Sequence, residues 1–185
     1  MGKYPVESVN CMNEIVRVAQ SNMPKRRPED FDSKKQAITE TVCHAACTIG
    51  SEFKSLGFEG KYIVISETGR GARLLSKYRP PVSILAFSES LRTVRELALV
   101  WGIRAHHVQE MADLGLEERA MKAIETARAI GYLSSEDKKV CVVTSSQFTG
   151  TGFFTGVYDV DSLELYRKAL QQKRVPGKSS RASMI

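Results

Sequence analysis

The sequence contains no long apolar run and no signature of a common catalytic centre. Its longest apolar stretches, such as AACTIG at residues 45–50, fall far short of the roughly 20 residues that a membrane span needs. The first residues, MGKYP, lack the apolar stretch of a secretory signal. We therefore expect a cytoplasmic protein that does not interact with membranes.

Cysteine is scarce, and no CxxC pair is present among Cys11, Cys43, Cys47 and Cys141. In a chain of 185 residues, this pattern predicts buried free thiols rather than a disulfide framework. Cys43 and Cys47 lie one helical turn apart around His44, but a structural zinc site usually has four ligands. Because no second pair lies nearby, we interpret these residues as core packing and predict no metal ligand.

The excess charge is small and peripheral. Of the net charge of +6, residues 161–185 carry +4, from six Lys or Arg against Asp161 and Glu164. A second basic cluster, KRR at residues 25–27, lies between two prolines. This distribution favours solvated charge over a nucleic-acid footprint, so no nucleic-acid partner is expected. Residues 161–185 are predicted to form an extra helix followed by a disordered basic tail.

The pattern of elements predicts an α/β domain. Two helices, at about 4–20 and 33–56, precede short apolar runs that alternate with further helices. The second helix is expected to begin with a capping box at residues 33–36 and to bury Ile38, Val42, Ala46, Ile49, Phe53 and Leu56. The predicted strands are 62–65, 82–87, 103–108, 140–143 and 157–160. The helices between them are 69–78, 88–101, with Ser88 as its cap, and 117–130. Alternation of this kind predicts a three-layer fold with helices on both faces of a mainly parallel five-stranded sheet, in the order 3-2-1-4-5. The last strand is predicted to be antiparallel, because the loop at about 148–156 is too short for a crossover.

Two segments at the predicted carboxyl ends of strands suit an anion. Residues 66–71, SETGRG, offer the hydroxyls of Ser66 and Thr68, two glycines and the start of a helix, where N–H groups and the helix dipole favour negative charge. Residues 144–152, TSSQFTGTG, follow strand four and would line the same crevice, with Thr151 and Gly152 as candidate ligands. From spacing alone, phosphate binding and a simple turn remain open alternatives.

A catalytic apparatus is not evident. His106 and His107 are adjacent, so in a strand their side chains point to opposite faces. No GxSxG, HExxH or Walker A pattern is present, and the acidic residues are scattered over helices and turns. The residues favour a binding module, and no catalytic residue is predicted.

Four segments, in order, resemble the pyruvate kinase family. Residues 2–9, GKYPVESV, are similar to the G-x-Y-P-V-E-A-V segment at the end of its catalytic barrel, and residues 38–42, ITETV, to I-T-E-A-V. Residues 66–80, SETGRGARLLSKYRP, resemble T-E-S-G-R-T-A-R-L-L-S-K-Y-R-P, and residues 93–103, TVRELALVWGI, resemble T-A-R-x-L-A-L-x-W-G-V. The resemblance covers residues 2 to about 160.

The resemblance implies a domain organisation and a function. Residues 1–22 would be the last helix of a missing barrel, and residues 33–160 the C-terminal regulatory domain. The parent enzyme transfers phosphate from phosphoenolpyruvate to ADP in glycolysis, with magnesium and usually potassium held in the barrel. This chain would then need no cofactor, be inactive alone, and self-associate as a dimer or tetramer.

The resemblance also implies an effector site. Carried over by position, the phosphate ligands would be Ser66, Thr68, Gly69, Arg70 and Gly71. Gly71 stands where the family often has a hydroxyl residue, Glu67 adds negative charge, and the loop after strand four contains no arginine. We therefore expect a single phosphate or sulfate rather than a sugar bisphosphate. The alternatives are a free-standing small phosphate-binding enzyme and a purely structural assembly module.

Overall fold

A computed structural model describes residues 2–23, 38–58, 60–109, 111, 113–145, 153–163, 165 and 168. The chain divides into two compact units, Met1–Phe31 and Asp32–Ile185. The described part of the first unit contains the helix α1 (Pro5–Asn22), which begins with proline in its first turn and has no buried residue. A first-turn proline is favourable because its missing N–H has no intrahelical partner there.

The second unit is built on a five-stranded sheet. Its strands are β1 (Gly60–Ile65), β2 (Ile84–Ser88), β3 (Ile103–His107), β4 (Lys139–Ser145) and β5 (Phe153–Asp159). The order is β3-β2-β1-β4-β5, with β1 to β4 mutually parallel and β5 antiparallel to β4. The predicted fold class, strand order and direction of the last strand are confirmed.

Helices cover both faces of this sheet. They are α2 (Ile38–Ser55), α3 (Arg70–Lys77), α4 (Leu91–Leu97) and α5 (Leu116–Ala129). On one face, the Tyr62 hydroxyl donates to the carbonyl of Ala46 in α2 (3.0 Å). The next strand residue, Ile63, points to the other face, where it joins a core that includes Ala123 and Ile124 of α5. This alternation along β1 produces the three predicted layers.

The buried face of α2 differs from the predicted one. Leu56 was expected in the core but is 67% exposed; the buried positions of the helix are Thr39, Cys43, Ala46, Cys47, Gly50 and Phe53. The cause is a close approach between helix and strand, since a Cβ on Gly50 would overlap the Tyr62 hydroxyl. Glycine at this position allows the close approach, and the small residues of the helix lie on the side that faces the sheet.

Three other predictions were wrong in detail. The cap of α4 is Ser90 rather than Ser88, because the Ser90 hydroxyl accepts from the Thr93 N–H (3.2 Å). β5 begins at Phe153 instead of residue 157, since its pairing with β4 extends to Ser145. Cys11 is an exposed thiol, while the other three cysteines are buried and free as predicted.

Two predictions lie outside the described residues, namely the capping box at residues 33–36 and most of the 161–185 extension. Across the part of the chain that is described, no helix is both long and apolar enough to cross a membrane.

Candidate functional site

The loop after β1 connects the sheet to the amino end of α3. Ser66 continues the pairing with β2 by donating its N–H to the carbonyl of Phe87 (3.0 Å), and its side chain is only 5% exposed. Glu67 and Thr68 are exposed, and Gly71 in the first turn of α3 is buried. The five predicted ligands from Ser66 to Gly71 therefore lie together where β1 ends and α3 begins.

The first carbonyl of this loop is held by two hydroxyls. The carbonyl oxygen of Glu67 accepts from Ser88 Oγ (3.2 Å) and from Thr93 Oγ1 (2.8 Å). Ser88 is the last residue of β2 and Thr93 lies in α4, and both are buried. Two neighbouring elements thus fix the orientation of one peptide group.

The next carbonyl is held by an arginine of α3. Arg73 donates Nη1 to the Thr68 carbonyl (3.1 Å) and Nη2 to Glu96 Oε2 (2.7 Å). Glu96 also accepts from Arg92 Nε (3.0 Å). Hydrogen bonds from Arg92 and Arg73 lower the pKa of Glu96, so this carboxylate is ionised at neutral pH.

Gly69 provides the turn into α3. Its φ of 72° is left-handed, and a Cβ there would lie 3.0 Å from Thr93 Cγ2 and 3.1 Å from Leu97 Cδ2. Both the backbone conformation and the close contact with α4 therefore require glycine. A left-handed residue followed by a helical one, Arg70, makes successive N–H groups converge into a concave anion-binding arrangement.

The loop leaves its N–H donors open. Within the described ranges, no carbonyl or side chain accepts from the N–H groups of Thr68, Gly69, Arg70 or Gly71. These are the groups that the first turn of a helix cannot satisfy internally, and they carry the positive end of its dipole. The arrangement is suited to bind one anion.

Of the second predicted segment, residues 144–152, the structure describes only Thr144 and Ser145. Thr144 is buried at the end of β4, and β4 pairs directly with β1 as expected. The candidate ligands Thr151 and Gly152 lie outside the described residues. Their part in the site stays a prediction.

The buried thiols near the sheet are held in an unreactive state. Burial raises the pKa of Cys43 to about 11 and that of Cys141 to about 12, so these thiols are protonated at neutral pH and poor nucleophiles. His106 packs edge-on against Phe87, and His107 Nε2 lies 3.0 Å from the carbonyl of Glu89. No group of three or more His, Cys, Asp or Glu in the described residues is placed to hold a metal ion.

A second polar network lies at the amino ends of β1 and β4, the end of the sheet opposite to this loop. Lys61 Nζ donates to Asp137 Oδ2 (2.8 Å) and to the Tyr132 carbonyl (2.6 Å). The same carboxylate oxygen accepts from the N–H (2.7 Å) and the hydroxyl (2.8 Å) of Ser134. Burial of Asp137 acts to raise its pKa, but the hydrogen bonds from Lys61 and Ser134 outweigh burial and lower it.

A groove of about 510 Å³ runs along the outer side of α2 and contains none of the predicted ligands. Its lining includes Ala45, Ile49, Phe53 and Leu56. An apolar, open groove of this kind favours contact with another protein rather than binding of an anion.

The sequence did not indicate the residues that hold the loop in place. The sequence predicts Ser88 as a helix cap and gives no indication of a role for Thr93 or Arg73. Ser88 and Thr93 lie 21 and 26 residues from Glu67, so local spacing carries no signal of these contacts. The order of the strands was the only available signal, since β2 lies beside β1.

The comparisons with known proteins point to one family. A family model described as pyruvate kinase, alpha/beta domain, matches residues 40–154. A pyruvate kinase of Leishmania mexicana is 32% identical over 159 residues, which cover 82% of this chain and 31% of the relative. A pyruvate kinase of Clostridium acetobutylicum is 26% identical over 165 residues, with 88% of this chain and 33% of the relative covered. The chain thus spans about a third of the length of these relatives.

Solved structures give the same fold. A crystal structure of a pyruvate kinase from Cryptosporidium parvum superposes with a TM-score of 0.64 at 20% identity, covering 86% of this chain and 31% of that one. Sequence identity at this level supports the shared fold alone.

Proposed function

The chain belongs to the family of pyruvate kinase C-terminal alpha/beta domains, and from this premise we propose that it is a regulatory and assembly domain that binds a phosphate-bearing effector and does no chemistry itself. The observation that carries the proposal is the loop at residues 66–71. Its carbonyls are bonded to neighbouring elements, while its N–H groups are left for a ligand.

The loop favours a single phosphate group. Four N–H groups of the loop have no acceptor among the described residues. Arg70 contributes a positive charge at the start of α3, while exposed Glu67 opposes an anion. Charge-assisted hydrogen bonds contribute about 1.5–3 kcal/mol each before desolvation of the anion is counted. We expect binding of inorganic phosphate or sulfate on the order of millimolar, near −4 kcal/mol.

Replacing Thr68 with aspartate tests the site. The new carboxylate would lie beside the converging N–H groups and abolish phosphate binding, and stability should be preserved because Thr68 is exposed. Thr41→Asp, at an exposed position of α2, adds the same charge elsewhere and should bind phosphate like the wild type. Calorimetry and thermal shift against phosphate at constant ionic strength provide the measurement. If phosphate stabilises all three proteins equally, or none, the loop is only a turn.

The proposal assigns catalysis to a part of the enzyme that this chain does not contain. In the parent, phosphoryl transfer would take place in the barrel, together with its magnesium and potassium, in the cytoplasm. Incubation of the chain with phosphoenolpyruvate, ADP and magnesium should therefore give no turnover. Pyruvate formation at a rate normal for a kinase would support the alternative, a free-standing phosphate-binding enzyme, and would refute the regulatory role.

Self-association is the second part of the proposal. β5 is hydrogen-bonded to β4 on one side, and its side chains Phe154 and Val157 are 47% and 45% exposed. Charged residues that protect edge strands are absent from β5 before Asp159, and the apolar groove of α2 adds surface for a partner. A second copy of the domain fits such a surface through a two-fold axis. The exposed apolar residues of α1 would in turn pack against the missing barrel.

Sedimentation analysis tests this part. At tens of micromolar the chain should sediment as a dimer or larger species, and Val157→Lys should shift it toward the monomer because a charge enters the edge strand. Leu99→Lys, at a position that is 92% exposed and outside β5 and α2, is the matched control. A monomeric wild type would contradict self-association.

A further inference from the structure

We propose that Thr93, assisted by Ser88, is a positioning residue of the anion loop: its hydroxyl sets the orientation of the peptide group between Glu67 and Thr68. The inference rests on the phosphate-binding function proposed above and adds a residue that does not touch the ligand. It concerns how the donors of the loop are directed rather than which residues supply them.

The contact is specific to one carbonyl. Thr93 Oγ1 and Ser88 Oγ both donate to the Glu67 oxygen, at 2.8 and 3.2 Å. Thr93 is 7% exposed and Ser88 3%, so water does not easily replace either donor. Removing the Thr93 hydroxyl would leave the Glu67 carbonyl with only the longer hydrogen bond, the one from Ser88.

Because the peptide is planar, this contact also sets the direction of the Thr68 N–H. In a trans peptide the C=O of one residue and the N–H of the next point in opposite directions. Because the Glu67 carbonyl points toward Ser88 and Thr93, the N–H of Thr68 points away from them. If this peptide rotated, a carbonyl oxygen would replace a donor in the loop and repel an anion.

Arg73 acts in the same way on the following peptide. Its Nη1 bonds the Thr68 carbonyl at 3.1 Å, which directs the N–H of Gly69 away from the guanidinium. Two successive peptides are thus held by their carbonyls, and their N–H groups are presented together.

Thr93 itself is held by two further contacts. Its N–H donates to the hydroxyl of the capping residue Ser90 (3.2 Å), and its methyl group lies beside Gly69. Valine would retain the methyl contact and the cap while removing only the hydroxyl. Thr93→Val is therefore the variant that isolates the proposed role.

The experiment is a phosphate titration of the whole chain at constant ionic strength, followed by ¹⁵N amide shifts. Thr93→Val should weaken phosphate binding about fivefold, as expected for the loss of one hydrogen bond, and reduce the shift of the Thr68 amide on binding. Thr93→Ser should restore affinity to within about twofold, since it keeps the donor. Thr126→Val, which removes a hydroxyl bonded to the Lys122 carbonyl within α5, is the matched control and should bind like the wild type.

The outcomes separate the two claims. If the wild type does not bind phosphate, the proposed function fails and this inference fails with it. If the wild type and Thr93→Val bind equally, the positioning role is refuted while the anion site stands. Should Thr93→Val fail to fold, Thr93→Ala is compared with Thr93→Ser, since the two differ only in the hydroxyl: equal affinity in these two variants also overturns the inference. Weakening by Thr93→Val that Thr93→Ser does not rescue would indicate packing instead of the hydroxyl.

Discussion

The two ends of the parallel strands carry similar polar atoms but use them differently. At the amino ends of β1 and β4, Lys61 and Ser134 both donate to Asp137, and the Tyr132 hydroxyl donates to the carbonyl of Ser83 (2.7 Å). At the carboxyl ends, hydroxyls and Arg73 bond to main-chain carbonyls, and several N–H groups keep no acceptor among the described residues.

The difference separates stability from binding. A closed set of donors and acceptors contributes to the free energy of unfolding, because breaking it exposes buried partners. An arrangement with open donors contributes less to folding and more to the capture of a ligand with negative charge. Substitutions at the two ends should therefore affect two different measurements.

The largest effect is expected at the amino ends. Asp137→Ala removes the acceptor of three hydrogen bonds, from Lys61 Nζ and from the N–H and hydroxyl of Ser134. We expect a loss of about 2–3 kcal/mol in the free energy of unfolding, with unchanged phosphate affinity in the folded protein. Urea unfolding and phosphate titration provide the two measurements. A variant that kept its stability but lost phosphate binding would invalidate the division between the two ends.

A smaller effect of Asp137 on the free energy of unfolding depends on pH. The pKa of Asp137 is lowered in the folded protein from an ordinary value of 3.8. Its contribution to stability is therefore complete above about pH 3.8 and is lost as the pH falls through the lower, folded value. Asparagine does not titrate, so the difference in unfolding free energy between wild type and Asp137→Asn should be constant from pH 5 to 7 and narrow below pH 4. A difference that grew on acidification would show that another group dominates.

Sequence reasoning predicted the fold better than it predicted the site. Strand order and the antiparallel β5 followed from the alternation of elements and from the short loop before the last strand. The position of SETGRG at the end of β1 followed from the same alternation. Which side of α2 is buried could not be predicted in this way, because it depends on the contact between Gly50 in α2 and Tyr62 in β1. Likewise, the anchoring of Glu67 by Thr93 requires a hydrogen bond between residues 26 positions apart, which periodicity cannot indicate.

The smallest effect concerns charge beside the anion loop. Glu96 is exposed and bonds Arg73 and Arg92 at 2.7 and 3.0 Å, so it partly neutralises a guanidinium that also holds the Thr68 carbonyl. Glu96→Gln removes one negative charge without removing Arg73, and phosphate affinity should rise by less than about twofold at low salt. The gain should disappear in about 0.5 M salt, because screening shortens the range of interactions between exposed charges. Glu52→Gln, at an exposed position of α2, makes the same change in net charge and should have no effect. A gain that persists in high salt, or that Glu52→Gln reproduces, would show that the Glu96–Arg73 pair does not act on the loop through local charge.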